Sequence, residues 1–110
     1  MANKLKIDGD KIKDGSKQVG RIKNGCIYEK NNTSSSYLLA MIKKDVIYNK
    51  NNPSSSYCIG MVKNGTIYNK NNASSSYKVG TIRDAERVIT GSCDEAELGA
   101  IYILMKDGKL

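Results

Sequence analysis

The chain has 110 residues, a formal net charge of +7 and 39% hydrophobic residues, a length that fits one domain able to bury roughly two thirds of its unfolded surface. It contains no His, which excludes catalysis and metal binding that depend on imidazole. Its three Cys are scattered, which favours a reducing compartment over a disulfide framework.

The N-terminal segment has no apolar run of the kind found in signal peptides, and no segment reaches transmembrane length. We therefore expect a cytoplasmic protein that does not contact membranes.

Residues 5–22 form a degenerate copy of a repeat that follows. In this copy Asp8-Gly9 occupies the turn, Ile12 takes a position held later by Tyr, and Val19 to Ile22 form the last strand.

Three full copies of a twenty-residue repeat occupy residues 23–42, 43–62 and 63–82. Such a short fixed period predicts one supersecondary unit that buries its apolar surface against its neighbours. Each copy reads as a β-hairpin with a tight turn, a short strand rich in β-formers, a polar Asn-Asn-x-Ser-Ser-Ser loop and a second strand. The turns are Asn24-Gly25, Lys44-Asp45 and Asn64-Gly65.

The second strand of each unit contains a small residue between two aliphatic positions that are three residues apart. A spacing of three does not fit one face of a flat strand, so either both faces are covered or a bulge turns the strand. Small residues would also let the backbones converge near a central axis, with the first and last hairpins in contact. The small residues are Gly20, Ala40, Gly60, Gly80 and Gly99.

On the first strand, one position is apolar in all five units, and we expect it to face the core. The neighbouring Ile position becomes Lys11 and Arg87 in the terminal units, which argues against its burial. The residues expected in the core are Ile12, Tyr28, Tyr48, Tyr68 and Val88.

Residues 83–105 align as a fifth copy, in which Leu98-Gly99 matches the second strand. The alternative is a short helix from Glu95 to Met105, because Glu-Ala-Glu-Leu favours helix. We favour the strand on the strength of the alignment. Residues 106–110 are expected to be a loose end, so the predicted domain spans residues 1–105.

The fold class predicted from these units is all-β, with five hairpins arranged around a central axis. Gly-x-Ile-Tyr, a loop, (Ile/Val)-Gly-x-(Ile/Val) and a C-terminal Leu-Gly-Ala-Ile-Tyr-Ile-Leu resemble the β-flower proteins, small bacterial domains of four or five hairpins about an axis. The resemblance covers nearly the whole chain and implies the fivefold kind. It implies no activity, because the family has none established.

The hairpins should place all long loops at one end of the sheet and all tight turns at the other. Asn side chains beside an aromatic ring could bind a sugar or a peptide by hydrogen bonding and stacking, although exposed loops commonly have this composition without binding anything. The candidate ligand-binding residues are Asn31, Asn32, Tyr37, Asn51, Asn52, Tyr57, Asn71, Asn72 and Tyr77.

The tight turns collect cations that could bind a polyanion or nucleic acid, or could simply be solvated. No nucleic-acid recognition motif accompanies them, so we do not favour a nucleic-acid partner. The candidate polyanion-binding residues are Lys23, Lys43, Lys44, Lys63 and Arg83.

No catalytic constellation, cofactor motif or metal motif stands out. Asp8, Asp10 and Asp14 lack the order of a calcium loop, and the loop serines have no His to activate them. We therefore expect a non-enzymatic binding or interaction module that could self-associate, with a polyanion binder as the alternative and a small hydrolase as a weaker third.

Overall fold

The structure, a computed structural model, describes residues 4–110 as ten strands in one sheet and two helices, so the fold is mostly β. Met1 to Asn3, at the start of the predicted domain, lie outside the described residues. The elements are β1 (Leu5–Asp8), β2 (Lys11–Asp14), β3 (Lys17–Lys23), β4 (Cys26–Glu29), β5 (Leu38–Lys43), β6 (Val46–Tyr48), β7 (Cys58–Lys63), β8 (Thr66–Tyr68), β9 (Lys78–Thr81), α1 (Ile82–Glu86), β10 (Ile89–Thr90) and α2 (Glu95–Lys106).

The tight turns of the repeats have the predicted hairpin geometry. Asn24 and Gly25 have φ values of 51° and 74°, and Asn64 and Gly65 have the same pair of values. Two consecutive positive φ values are the mark of a type I′ turn, whose twist matches that of the flanking strands. Lys44 and Asp45 adopt φ values of 52° and 66°, so the third hairpin forms the turn without glycine.

A β-bulge occurs once in each of the first four units, which resolves the spacing of three. Ile47 pairs with Gly60 and Tyr48 pairs with Cys58, so Ile59 is the extra residue between them. Because a bulge puts two successive side chains on the same side of the strand, Ile59 packs toward the main core next to Gly60. The same shift leaves Val19, Leu39 and Val79 unpaired in the other copies.

Of the residues predicted for the core, Ile12 lies in the main core and Val88 packs against it. The prediction that the Tyr position faces the main core is wrong for the three tyrosines. The neighbour of this position does so instead, because Ile27, Ile47 and Ile67 have no exposed surface, and each pairs with the small residue of the next strand. Ile12 pairs with Gly20 and belongs to this Ile position. The tyrosines lie on the opposite, outer face, where Tyr48 packs with Cys26 and Met41 in a small second cluster.

The fifth unit is mainly helical, so the prediction of strand over residues 95–105 is wrong. α2 runs from Glu95 to Lys106, and the Asp94 backbone N–H donates to the Glu97 carboxylate at 3.1 Å. α1 is closed at its start by reciprocal hydrogen bonds between Thr81 and Asp84. The alignment of Leu98-Gly99 with the repeats was misleading, because good helix formers and a capping acid decide the local structure here.

α2 packs against β5, β6 and β7, and the small residues of the strands make room for it. A Cβ on Gly60 would collide with Ile103, and one on Gly80 would lie 2.8 Å from the Tyr102 ring. The glycines therefore admit a helix and are not evidence of converging strands. The prediction of a loose C-terminus is also wrong, because Leu110 is only 8% exposed and lies in the main core.

The sheet runs in the order β10-β1-β2-β3-β4-β5-β6-β7-β8-β9 and is not closed. β10 returns to pair in parallel with β1, which brings the fifth unit beside the first. α1 contacts both β9 and β10, which are the two outermost strands. None of the helices within residues 4–110 is long and apolar enough to cross a membrane.

Candidate functional site

The antiparallel path of β1 to β9 separates the connections into two rims. The tight turns lie at one end of the strands, here called the turn rim, and the loops of residues 30–37, 49–57 and 69–77 lie at the other, here called the loop rim. α2 starts near the turn rim and ends at the loop rim, because Gly99 lies against Val62 whereas Lys106 lies beside Asn69.

The three long loops end in the same capped 3-10 turn. In each, the hydroxyl of the first serine, that of Ser34, Ser54 or Ser74, accepts a hydrogen bond at 3.4 Å from the backbone N–H two residues later. This bond lets each loop form a compact turn before it enters the next strand. The repeated Ser-Ser-Ser sequence therefore has a structural role at its first position, and leaves the other two hydroxyls at the surface.

Several of the predicted Asn side chains are used to hold the loops. The Asn32 side-chain oxygen accepts from the Ser34 N–H at 2.9 Å, and that of Asn72 accepts from the Ser74 N–H at 3.1 Å. Asn31 accepts from the Arg21 guanidinium at 3.2 Å. Asn52 is exposed beside Pro53. The sequence reasoning treated these residues as one group, whereas the structure gives Asn31 and Asn32 scaffold contacts.

Two of the loop tyrosines are covered by lysines of their own loop. The Lys50 Nζ lies 5.7 Å from the centre of the Tyr57 ring, and the Lys70 Nζ lies 5.3 Å from the centre of the Tyr77 ring. Both distances are within the range of a cation–π contact. The rings thus favour one position for each of two exposed ammonium groups. Tyr37, in the first loop, is 39% exposed and is the large apolar residue with most exposure among the described residues.

Two pockets at the loop rim have the same construction, one repeat apart. The first, of about 370 Å³, is lined by Ser35, Ser36, Leu38, Asn49, Lys50 and Asn51. The second, of about 340 Å³, is lined by Ser55, Cys58, Asn69, Lys70, Asn71 and Asn72. Each lies between the serines of one loop and the Asn-Lys-Asn of the next, so five of the lining positions correspond.

A third pocket adjoins the second and is lined partly by apolar groups. It has a volume of about 310 Å³ and lies between the end of α2 and the strands. Its apolar lining comes from Ile59, Val79 and Ile103, and its charged lining from Lys106 and Asp107. Cys58 and Asn69 line both this pocket and the second one. The two pockets therefore form adjoining depressions at the loop rim.

The turn rim carries carboxylates among its cations, whereas the three long loops carry no carboxylate. Its predicted cations share that end with carboxylates at the turns and at the starts of both helices, and Arg21 pairs with Asp10 at 3.1 Å. A polyanion would meet repulsion from these carboxylates as well as attraction. The carboxylates of this rim are Asp8, Asp10, Asp45, Asp84, Asp94 and Glu95.

Cys93 is the thiol with the strongest electrostatic perturbation. Burial, followed by the charges of Glu97 and Asp94, raises the pKa of Cys93 to about 11. Such a thiol is almost wholly protonated at neutral pH and is a poor nucleophile. Within residues 4–110 no three Cys, Asp or Glu side chains come together as a group that could hold a metal ion.

The predicted site residues did not include the lysines or the inter-repeat partners of the pockets. Lys50, Lys70, Asn49 and Asn69 line them, yet the predicted set held only the paired asparagines and the loop tyrosines. The signal was present in the repeat itself, because successive loops must lie side by side when successive strands pair. The predicted tyrosines Tyr57 and Tyr77 act indirectly, by supporting the lysines.

Comparison of the chain with protein-family models, curated proteins and solved structures found no match.

Proposed function

We propose that this protein is a non-enzymatic binding module that uses its loop rim to bind a ligand with repeating structure. The observation that carries the proposal is the pair of equivalent pockets between successive loops. A binding site that recurs with the period of the fold suits a ligand that repeats along its own length. Each pocket has the volume of a small-molecule site, so one sugar or one peptide side chain could occupy it.

The lining of the pockets favours a sugar over a peptide. Its polar groups are mainly amides and hydroxyls, as in Asn69, Asn71 and Ser55, and these groups both donate and accept hydrogen bonds. Sugar hydroxyls require this dual capacity around each ring. Apolar atoms also line both pockets, and they include those of Leu38 in one pocket and Cys58 in the other.

A matched set of asparagine variants tests the proposal. Asn31 corresponds to Asn51 and Asn71 in the repeat but contacts Arg21 and lines neither pocket. We expect N51A/N71A to lower oligosaccharide affinity by about 2- to 12-fold per pocket, the cost of one lost hydrogen bond. N31A should leave the affinity unchanged.

Titration calorimetry with a panel of oligosaccharides provides the measurement, after a glycan array has selected the panel. If the wild-type protein binds no oligosaccharide on the array, the proposal is wrong. If N31A weakens binding as much as N51A/N71A does, the pockets are not the site.

We further propose the finer fold assignment and the compartment. In this proposal the chain is a bacterial relative of the β-flower proteins, with five units about one axis. The pairing of β10 with β1 and the contacts of α1 with both outer strands support the common axis. Three free cysteines support a reducing cytoplasm.

Self-association through a strand edge is a second proposal. β9 has a hydrogen-bonded neighbour on one side only, and such an edge can pair with another chain. Sedimentation equilibrium of the wild type over a range of concentrations tests this. A wild-type monomer at all concentrations would exclude it.

A further inference from the structure

The three long loops carry lysine and no carboxylate. Between Asp45 and Asp84 the sequence contains no acidic residue, and two of the three long loops lie in this stretch. Lys50 lines one pocket and Lys70 lines the other. Lys106 and Asp107, at the end of α2, both line the adjoining third pocket, so the charge of that pocket is balanced, unlike that of the first two pockets.

The two pocket lysines are also held in place. Each stacks over a tyrosine ring of its own loop, at 5.7 Å for Lys50 and 5.3 Å for Lys70. An ammonium group that already rests on a ring loses less conformational entropy when it pairs with an anion. Each pocket thus combines one positioned cation with amides and hydroxyls.

The spacing of these cations follows from the sheet. One repeat contributes two strands, and neighbouring strands lie about 4.8 Å apart, so equivalent pockets are roughly 10 Å apart. A single nucleic-acid strand carries a phosphate about every 3.4 Å when stacked, which is about three charges for each pocket. A linear polysaccharide with one carboxylate on each disaccharide has a charge spacing close to that of the pockets.

We propose that the ligand is an acidic linear polysaccharide with one carboxylate per disaccharide, and that Lys50 and Lys70 each bind one carboxylate. This inference rests on the proposed function and adds the charge and the spacing of the ligand. Asn49, Asn51, Asn69 and Asn71 would then bind the hydroxyls of the same disaccharides. The tyrosine rings position the lysines rather than stack on the sugar.

Hyaluronan oligosaccharides are suitable probes because they carry one carboxylate per disaccharide. Titration calorimetry of the full chain should compare the disaccharide, the tetrasaccharide and a tetrasaccharide whose carboxyl groups have been reduced to alcohols. We expect the tetrasaccharide to bind at least tenfold more tightly than the disaccharide, because it reaches both pockets. We expect the reduced form to bind more weakly and to lose its dependence on salt.

Two double variants locate the contribution of charge. K50Q/K70Q should lower the affinity for the acidic tetrasaccharide about two- to fivefold per lysine, as for an exposed ion pair, and should leave the affinity for the reduced form unchanged. K23Q/K63Q changes the same number of lysines at the turn rim and should have no effect. All four lysines are exposed, and circular dichroism confirms that the variants fold.

The outcomes separate this inference from the proposed function. Equal binding of acidic and reduced tetrasaccharides would overturn the inference and leave the sugar site standing. Loss of binding in K23Q/K63Q would assign the anion site to the turn rim and overturn it as well. Tighter binding of oligo(dT) than of the acidic tetrasaccharide, lost in K50Q/K70Q, would replace the polysaccharide with a nucleic acid. If no oligosaccharide binds, both proposals fail.

Discussion

Replacement of Gly60 by Ala tests whether the glycines of the second strands exist to admit α2. A Cβ at Gly60 would collide with the Cδ1 atom of Ile103 and would lie 2.5 Å from the Tyr68 carbonyl oxygen. Without this collision, a Gly-to-Ala change in a strand should stabilise the fold by about 0.4–1 kcal/mol, because it restricts the unfolded chain. With it, overpacking should destabilise by about 1–3 kcal/mol. A collision with Ile103 therefore predicts that Gly60→Ala lowers the free energy of unfolding, whereas the absence of a collision predicts that it raises it.

Ala40 bears on which of the two contacts matters. It pairs with Ile27 as Gly60 pairs with Ile47, and it carries its methyl group with no exposed surface. The strand geometry thus tolerates a Cβ at this position of the repeat. Gly60 differs by having the side chain of Ile103 opposite it, and its Cβ would also lie closer to the next strand's carbonyl oxygen than at Gly20 (2.5 against 3.0 Å). The double variant with Ile103 separates these two contacts.

Urea unfolding followed by circular dichroism provides the free energies. Ile103→Val removes the colliding atom and should itself cost about 0.5–1.5 kcal/mol. We expect the destabilisation of G60A/I103V to be smaller than the sum of the destabilisations of the two single variants by about 0.5 kcal/mol or more. A stabilising Gly60→Ala, or strict additivity in the double variant, would refute the account of α2 packing given above.

Three further predictions concern the turns, the cap of α1 and the thiol in the loop before α2. Lys44→Asn with Asp45→Gly should raise the free energy of unfolding by about 0.5–1 kcal/mol in urea melts, because both residues hold a positive φ that Asn-Gly adopts more easily. Hydrogen bonds from Thr81 lower the pKa of Asp84 below 3.8, so its contribution to stability is present above about pH 4 and is lost as pH falls through the lowered pKa. The urea midpoint should then fall less steeply with acid in Asp84→Asn than in the wild type. Alkylation of Cys93 by iodoacetamide at pH 8, read by peptide mass spectrometry, should be about 100-fold slower in the folded than in the urea-unfolded protein, because its pKa rises from 9.0 to about 11; equal rates would contradict the burial of this thiol.

The hairpins and their turns could be predicted because their signals are local. Asn24-Gly25 specifies a type I′ turn by backbone conformation alone, and the structure has it. The bulge was one of two alternatives, since a spacing of three between Ile59 and Val62 already conflicts with a flat strand. The repeat thus contained enough information to define the strands and their order.

The face of the sheet that packs inward could not be predicted from the alignment alone. The alignment placed Ile12 of the first copy in the Tyr position. That shift of one residue exchanged the predicted inner and outer faces of the strand. The prediction for the fifth unit was wrong for a different reason. Gly99 aligns with the small residue of the second strands but lies in α2. A small residue is needed there because Val62 of the sheet lies against it.

The pockets could be predicted only in part because they belong to no single loop. Ser55 and Asn71 lie in different copies of the repeat and meet only when β7 and β8 pair. Reading one copy at a time finds polar loops, which are common on any surface. Reading two neighbouring copies together would have found the site.

The pairing of β10 with β1 fixes the number of copies in the chain. Open arrays of repeats tolerate the gain or loss of a unit, because each unit contacts only its neighbours. Here the removal of one middle copy would shift β9 by roughly 10 Å relative to β1. α2 has 12 residues and a fixed length of about 18 Å, so it could not adjust to this change. Near-identical copies in a gene can recombine unequally, which gives chains with one copy too few or too many. We expect such chains to lose the sheet surface on which α2 packs, and therefore to be removed by selection.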